Sequence, residues 1–167
     1  MNVQPSPREL VRAIVMAEHS AAEGSIEIAR EQYAGDQAAI AVTFETKQGV
    51  QRRGVFGLRR HPDGMWRPSG GSFTGSVRPI GDSDVWMIWG GWGGDREERT
   101  VHGGWIADPA AVSAKAIDEM TGQTVEDAVE NGVALFMYEG NLGQNSRLEL
   151  LDADGRVLRT GPLHRRP

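Results

Sequence analysis

The apolar residues of this chain change their spacing once, at Gly24, and that change constrains the fold more than any other feature. Before it, Leu10, Val11, Ile14, Val15, Ala17, Ala21 and Ala22 recur at helical intervals and form one stripe. After it the period is two. Ile26 and Ile28 alternate with Glu27 and Ala29, while Ile40, Val42 and Phe44 share one face. Phe56 and Leu58 point inward from a strand whose arginines point outward. Further on, "VWMIW", "TVHGGWIADP", "AVSAKAID", "GVALFMYE", "SRLELLDA" and "RVLRTGPL" are short segments set apart by turn residues, the spacing of a sandwich or barrel. The expected fold is therefore mainly β: an N-terminal helix packed on an antiparallel sheet, followed by an immunoglobulin-like antiparallel β-sandwich.

The helix has sequence-defined ends. Ser6-Pro7-Arg8-Glu9 reads as a capping box, with Ser6 as N-cap, Pro7 at the first helical position and Glu9 at N3. Gly24 is expected to take the left-handed position after the last turn. Gly35-Asp36, Gly49 and "HPDG" (61–64) mark turns. The stretch "TVEDAVENG" (124–132) fits either one helical turn or a strand with a loop. "RPSGGSFTGSVRPIGDSD" (67–84), rich in Gly, Ser and Pro, is the expected boundary. It divides a helix-plus-meander lobe (1–78) from a β-sandwich lobe (79–167), and the two are free to form one continuous domain.

A helix followed by "GDQAAIAV" and "LRRHPDGMWR" is similar to small bacterial cystatin-like or NTF2-like domains over residues 7–70. The resemblance implies one helix on a curved antiparallel sheet. Folds of that kind serve as ligand cups, small enzymes and interaction modules, so it implies no single activity. The segment from "GGWIADPAAV" to "LELLDADGRVL" resembles immunoglobulin-like modules of bacterial proteins, which mostly space, bind or assemble.

Four of the five tryptophans fall within residues 86–105. "IWGGWGGD" and "VHGGWIAD" match thirteen residues apart and predict a hairpin closed by the charged loop Asp95–Arg99. Alternation sends Trp86, Ile88 and Trp92 to one side and Val85, Met87 and Trp89 to the other. Apolar groups on both faces predict a strand covered on both sides. An aromatic ligand platform would instead need several indoles on one exposed face. Trp92, between two glycine pairs, is the indole expected to be exposed.

Several chemistries lack the residues they need. The chain has no cysteine, which excludes disulfides, thiolate metal sites and a cysteine nucleophile. His19, His61, His102 and His164 show no metal-ligand spacing, and only His102 sits where it could be enclosed. No phosphate loop, dinucleotide fingerprint or serine elbow occurs. "DADG" (152–155) lacks the spacing of a calcium loop and reads as a hairpin turn. No catalytic residue, metal or cofactor is expected.

A net charge of −5 argues against duplex nucleic acid as a partner, and no apolar run approaches the ~18 residues of a membrane span. The N-terminus lacks a signal-peptide pattern, so a cytoplasmic location is expected, or a secreted one had a leader been removed. Arginine outnumbers lysine 16 to 2, which suggests a GC-rich bacterial genome. Charge is also unevenly spread. Residues 47–78 carry seven cations against one acid, and residues 108–154 carry ten acids against two cations. Arg53, Arg59 and Arg67 are expected to form a solvent-facing basic strip, which together with Trp92 is the candidate binding surface. The expected role is a non-enzymatic binding or assembly module acting through a protein partner or self-association. A ligand cup or small enzyme of cystatin-like type, and a carbohydrate module using exposed tryptophan, are the alternatives.

Overall fold

The computed structural model describes residues 4–74, 81–82, 84–92 and 99–164, with the backbone alone at 74 and 88–92. The described chain is mainly β, with one α-helix and antiparallel sheets. Helix α1 spans Pro7–Glu18. Ser6 Oγ accepts from the Glu9 backbone N–H, and the Glu9 carboxylate accepts in return from the Ser6 N–H, which forms the capping box. The helix ends earlier than expected. His19 is the C-cap, and Ser20 rather than Gly24 takes the left-handed conformation (φ 54°). Two contacts fix this end: the backbone N–H of Ala21 returns to the Val15 carbonyl at 3.1 Å, and the His19 ring lies 3.9 Å from that of Phe73.

Four strands follow as a meander: β1 (Glu27–Ala34), β2 (Gln37–Glu45), β3 (Gln51–Arg60) and β4 (Trp66–Thr74). Strand β4 takes up much of the stretch expected as a boundary loop. Its polar, glycine-rich sequence still pairs with β3, through a register shift beside Gly57, and delivers Phe73 to the core. The expected boundary at 78/79 lies outside the described residues. Strand β2 is buried on both faces, and the two faces differ. Ile40, Val42 and Phe44 pack under Val11 and Val15 of the helix, whereas Ala39 and Ala41 face the other way. Each fully buried valine contributes about 2 kcal/mol of hydrophobic stabilisation.

The remaining strands form two further sheets. Strands β5 (Trp86–Trp92), β6 (Arg99–Ile106) and β9 (Val133–Glu139) pair in the order β5-β6-β9. Strands β7 (Ser113–Ile117), β8 (Thr124–Ala128), β10 (Arg147–Leu151) and β11 (Val157–Pro162) pair in the order β11-β10-β7-β8. Residues 124–128 are thus a strand, the second of the two readings that the sequence allows. The chain passes from one sheet to the other through Asn131 and Gly132, whose φ angles of 52° and 74° suit Asn-Gly.

The layers stack in the order helix, meander, three-stranded sheet, four-stranded sheet. The three-stranded sheet is the seam. One of its faces contributes Trp86, Ile106, Phe136 and Tyr138 to a core shared with Ala114, Ala116, Leu148 and Leu150 of the four-stranded sheet. Its other face packs Val101, Trp105, Val133 and Leu135 against Ala39, Ala41 and Val55 of the meander. Strands β5 and β6 pair antiparallel as expected, with Gly90 opposite Gly103; of the loop expected to close them, Asp95–Arg99, all but Arg99 lies outside the described residues. Leu135 crosses so closely over Gly103 that a Cβ there would lie 2.5 Å from its Cδ2. The alternation expected of β5 fails at its start. Val85 and Trp86 join the same core and Met87 the other, because the register shifts between Trp86 and Ile88. Among the described residues no helix is long and apolar enough to cross a membrane.

Candidate functional site

The expected basic strip is not assembled as one surface. Arg59 and Arg67 are cross-strand partners at one end of the meander. Arg59 pairs with Asp36 at 3.3 Å and Arg67 with Asp63 at 2.6 Å, while His61 Nδ1 lies 3.3 Å from Arg67. A shallow cleft there is bounded by Asp36, Arg59, Arg60, His61 and Pro62. Carboxylates match two of the three guanidiniums at this end, which removes most of the net charge that would steer a partner. Arg53 shares a strand face with Arg59 by parity but sits about 20 Å along β3. There it is half-buried beneath the three-stranded sheet, 5.6 Å from the Trp105 ring centroid. The Trp92 backbone pairs with Val101, and its side chain, like that of Trp89, lies outside the described residues. Trp86 and Trp105 are core residues, and the Trp86 indole N–H donates to the Leu163 carbonyl at 3.2 Å.

Much of the acidic segment is also matched internally. Asp108 pairs with Arg159 at 3.3 Å, and Glu119 and Glu149 both pair with Arg147. Backbone N–H groups of Gly143 and Met120 hold the Asp118 carboxyl below its usual range. Asp127 meets Arg30, a residue that no sequence pattern singles out. Arg30 is 8% exposed, on strand β1 of the meander. Its guanidinium reaches Asp127 at 2.8 Å, the Val133 carbonyl at 2.9 Å and the Ala128 carbonyl. Asn131 adds a bond to the Ala29 carbonyl at 2.8 Å, and Asp127 itself accepts from the Leu135 N–H at 2.7 Å. The meander thus grips the segment where the chain changes sheets. Burial still pushes the Asp127 carboxyl above its ordinary value, against the pull of the Leu135 N–H and Arg30.

His102 is the enclosed histidine, as its context suggested, at 2% exposure. It stacks on Trp86 with ring centroids 5.9 Å apart, and the His164 ring lies 5.2 Å away. Burial, and secondarily His164, lower its pKa to about 3, so it is neutral at physiological pH. Enclosed in this way it serves packing and is not placed to exchange protons with solvent.

Among the described residues no further layer covers the outer face of the four-stranded sheet. Ala114, Ala116, Leu148 and Leu150 point into the core shared with the three-stranded sheet, so Lys115, Ile117, Arg147, Glu149 and Glu126 point out. Lys115 and Glu126 are cross-strand partners, and Glu149 stands opposite Lys115 on the other side. At one end of this face an apolar patch surrounds Leu151. Val112 donates its N–H to the Leu151 carbonyl at 2.9 Å, and Val157 is Leu151's partner on β11. Val112, Val157 and Leu158 are 46%, 51% and 38% exposed. Among the described residues β11 is an edge strand, with no strand on its far side. The sequence hid this patch because its members come from three separated segments, each carrying one or two apolar residues. No family model, no curated protein and no solved structure matches the chain.

Proposed function

We propose that the chain is a non-enzymatic binding and assembly module, and that residues 85–163 are an immunoglobulin-like sandwich. Strands β5, β6 and β9 occupy the places of A, B and E, and β7, β10 and β11 those of C, F and G. Strand β8 pairs with the third strand rather than the fifth, which departs from the constant-domain order. The helix-capped meander covers the three-stranded sheet, and the four-stranded sheet is left to make contacts.

The observation that carries this reading is the exposed patch of Val112, Val157 and Leu158 beside a strand that, among the described residues, pairs on one side only. Natural edge strands are usually blunted by charge, proline or a bulge, and apolar edges invite pairing. Strand β11 carries a register shift at Leu158, a charge at Arg159 and a proline at Pro162, so the apolar contact is confined to its first residues, Val157 and Leu158. The proposed occupant is a second copy of this chain. The whole molecule carries −5 and repels its own copies, but Lys115 and Arg147 balance Glu126 and Glu149 on this face. A two-fold contact is self-complementary, so a face of mixed sign suits it where a face of one sign does not.

Sedimentation velocity over a wide concentration range tests the proposal. The wild type is expected to dimerise, and Val157→Lys with Leu158→Lys to remain monomeric with unchanged circular dichroism. A wild type that stays monomeric throughout refutes self-association by this face. A dimer that persists in the double variant places the contact elsewhere.

A further inference from the structure

A second surface has the shape of a small-molecule cleft. Where the meander, the three-stranded sheet and the 107–111 turn meet, a cleft of about 530 Å³ opens, within the size range of small-molecule sites. Met87, Trp105, Ile106, Ala111 and Val129 supply apolar walls, and Arg53 supplies a charge. The Arg53 guanidinium lies by the Trp105 ring, and one nitrogen contacts Met87 Sδ at 3.1 Å. Sulfur is a weak acceptor and the indole face offers none, so most of the five guanidinium donors are unsatisfied by protein. Among the described residues no carboxylate stands within ion-pair distance of Arg53. Arg30, Arg59, Arg67, Arg147 and Arg159 each have one. Arg12, Arg52, Arg60, Arg99 and Arg156 share the lack, but none of them lines this cleft. Asp108, the acid on the cleft wall, is already held by Arg159 and by the Ala110 N–H.

We propose that this cleft binds a small apolar monocarboxylate, its carboxylate on Arg53 and its hydrocarbon body against Trp105, Met87 and Val129. The guanidinium fork matches a carboxylate in two parallel hydrogen bonds, and the charge-assisted pair strengthens in a partly dry site. The apolar walls exclude a strongly hydrated anion such as inorganic phosphate. They accept an aryl or alkyl chain, whose burial supplies most of the affinity. This site adjoins the proposed contact, since Val129 donates its N–H to the Val112 carbonyl and Asp108 pairs with Arg159 of β11. The two are read by different observables, ligand heat and oligomer mass, so the failure of one is distinguishable from that of the other.

Isothermal titration with 4-phenylbutyrate and its uncharged analogue 4-phenylbutan-1-ol is the test. The wild type is expected to bind the acid at least about tenfold more tightly than the alcohol, the least that one charge-assisted hydrogen bond supplies. Arg53→Gln is expected to erase that preference while leaving the alcohol's affinity in place. Val129→Trp, which fills the cleft, is expected to abolish both. Equal binding of acid and alcohol by the wild type overturns the proposal and needs no variant to fold. So does absence of acid binding at millimolar concentration, or undiminished binding by a folded Val129→Trp protein.

Discussion

Replacing Arg30 with methionine removes the guanidinium that joins the meander to the sheet-crossing segment, and the cost follows from the bonds that this guanidinium makes. The ion pair is enclosed, with side-chain exposures of 6% for Arg30 and 10% for Asp127. Methionine leaves a buried carboxylate with the Leu135 N–H as its remaining close donor, and takes a donor from the carbonyls of Ala128 and Val133. Breaking a buried pair from one side costs about 3–5 kcal/mol, most of it the stranded charge. In a chain of this length that corresponds to a fall in Tm of roughly 10 °C. Urea unfolding followed by tryptophan emission is the assay, read as a shift in midpoint at constant slope. Arg30→Met combined with Asp127→Leu is expected to recover most of the loss, because the stranded charge is then gone. The pH dependence has a definite sign. Without Arg30 the folded-state pKa of Asp127 rises further above 3.8, so the folded protein takes up a proton before the unfolded chain does. The variant's deficit should therefore be largest near neutrality and shrink as pH falls toward the raised value. A loss below about 1 kcal/mol, the value of an exposed pair, would refute the reasoning.

Two further predictions rest on the three-stranded sheet. His102 titrates near 6.5 in the unfolded chain and at about 3 when folded, so its contribution is complete above 6.5 and is lost as pH falls toward 3. At about pH 5 the loss amounts to about 2 kcal/mol; His102→Phe should flatten the urea midpoint between about pH 7 and pH 5, and a wild type with equal midpoints there contradicts the assignment. Gly103→Ala places a methyl 2.5 Å from Leu135 Cδ2 and 2.7 Å from the Ala134 carbonyl oxygen, and should cost about 1–3 kcal/mol through overpacking. A neutral result, again by urea midpoint, would mean that β6 and β9 lie further apart than the structure places them.

Much of the local structure is legible in the sequence because local residues decide it. Ser6, Pro7 and Glu9 define the helix start, and they do so in the fold. The two-faced apolar pattern of residues 86–106 announces a doubly covered sheet, which β6 is. The helix end is misread from sequence because Gly24 is an attractive terminator, whereas the ring of Phe73, far along the chain, fixes His19. The setting of the arginines is illegible in the sequence for a related reason. Sequence counts charges but not their partners, and the carboxylates that neutralise Arg59 and Arg67 lie in adjacent turns. Arg30 looks like any polar residue of an alternating strand. Its partner Asp127 is in another layer, and no local spacing encodes that meeting. Arg53 stands out in the sequence for its charge. What sets it apart is its place in an apolar cleft, beside Trp105 and Met87 and without a carboxylate partner among the described residues, which only the packed layers reveal.

Amide hydrogen exchange of β11, measured at rising protein concentration, tests the proposed assembly most directly. If the four-stranded sheet joins a second copy through this edge, amides of Val157–Leu158 and the residues after them gain protection as concentration rises. Those of the two strands at the edges of the meander, β1 and β4, should not change. Protection of β11 that is the same at every concentration, or that rises instead at the end of the meander where Arg59 and Arg67 pair, would contradict it.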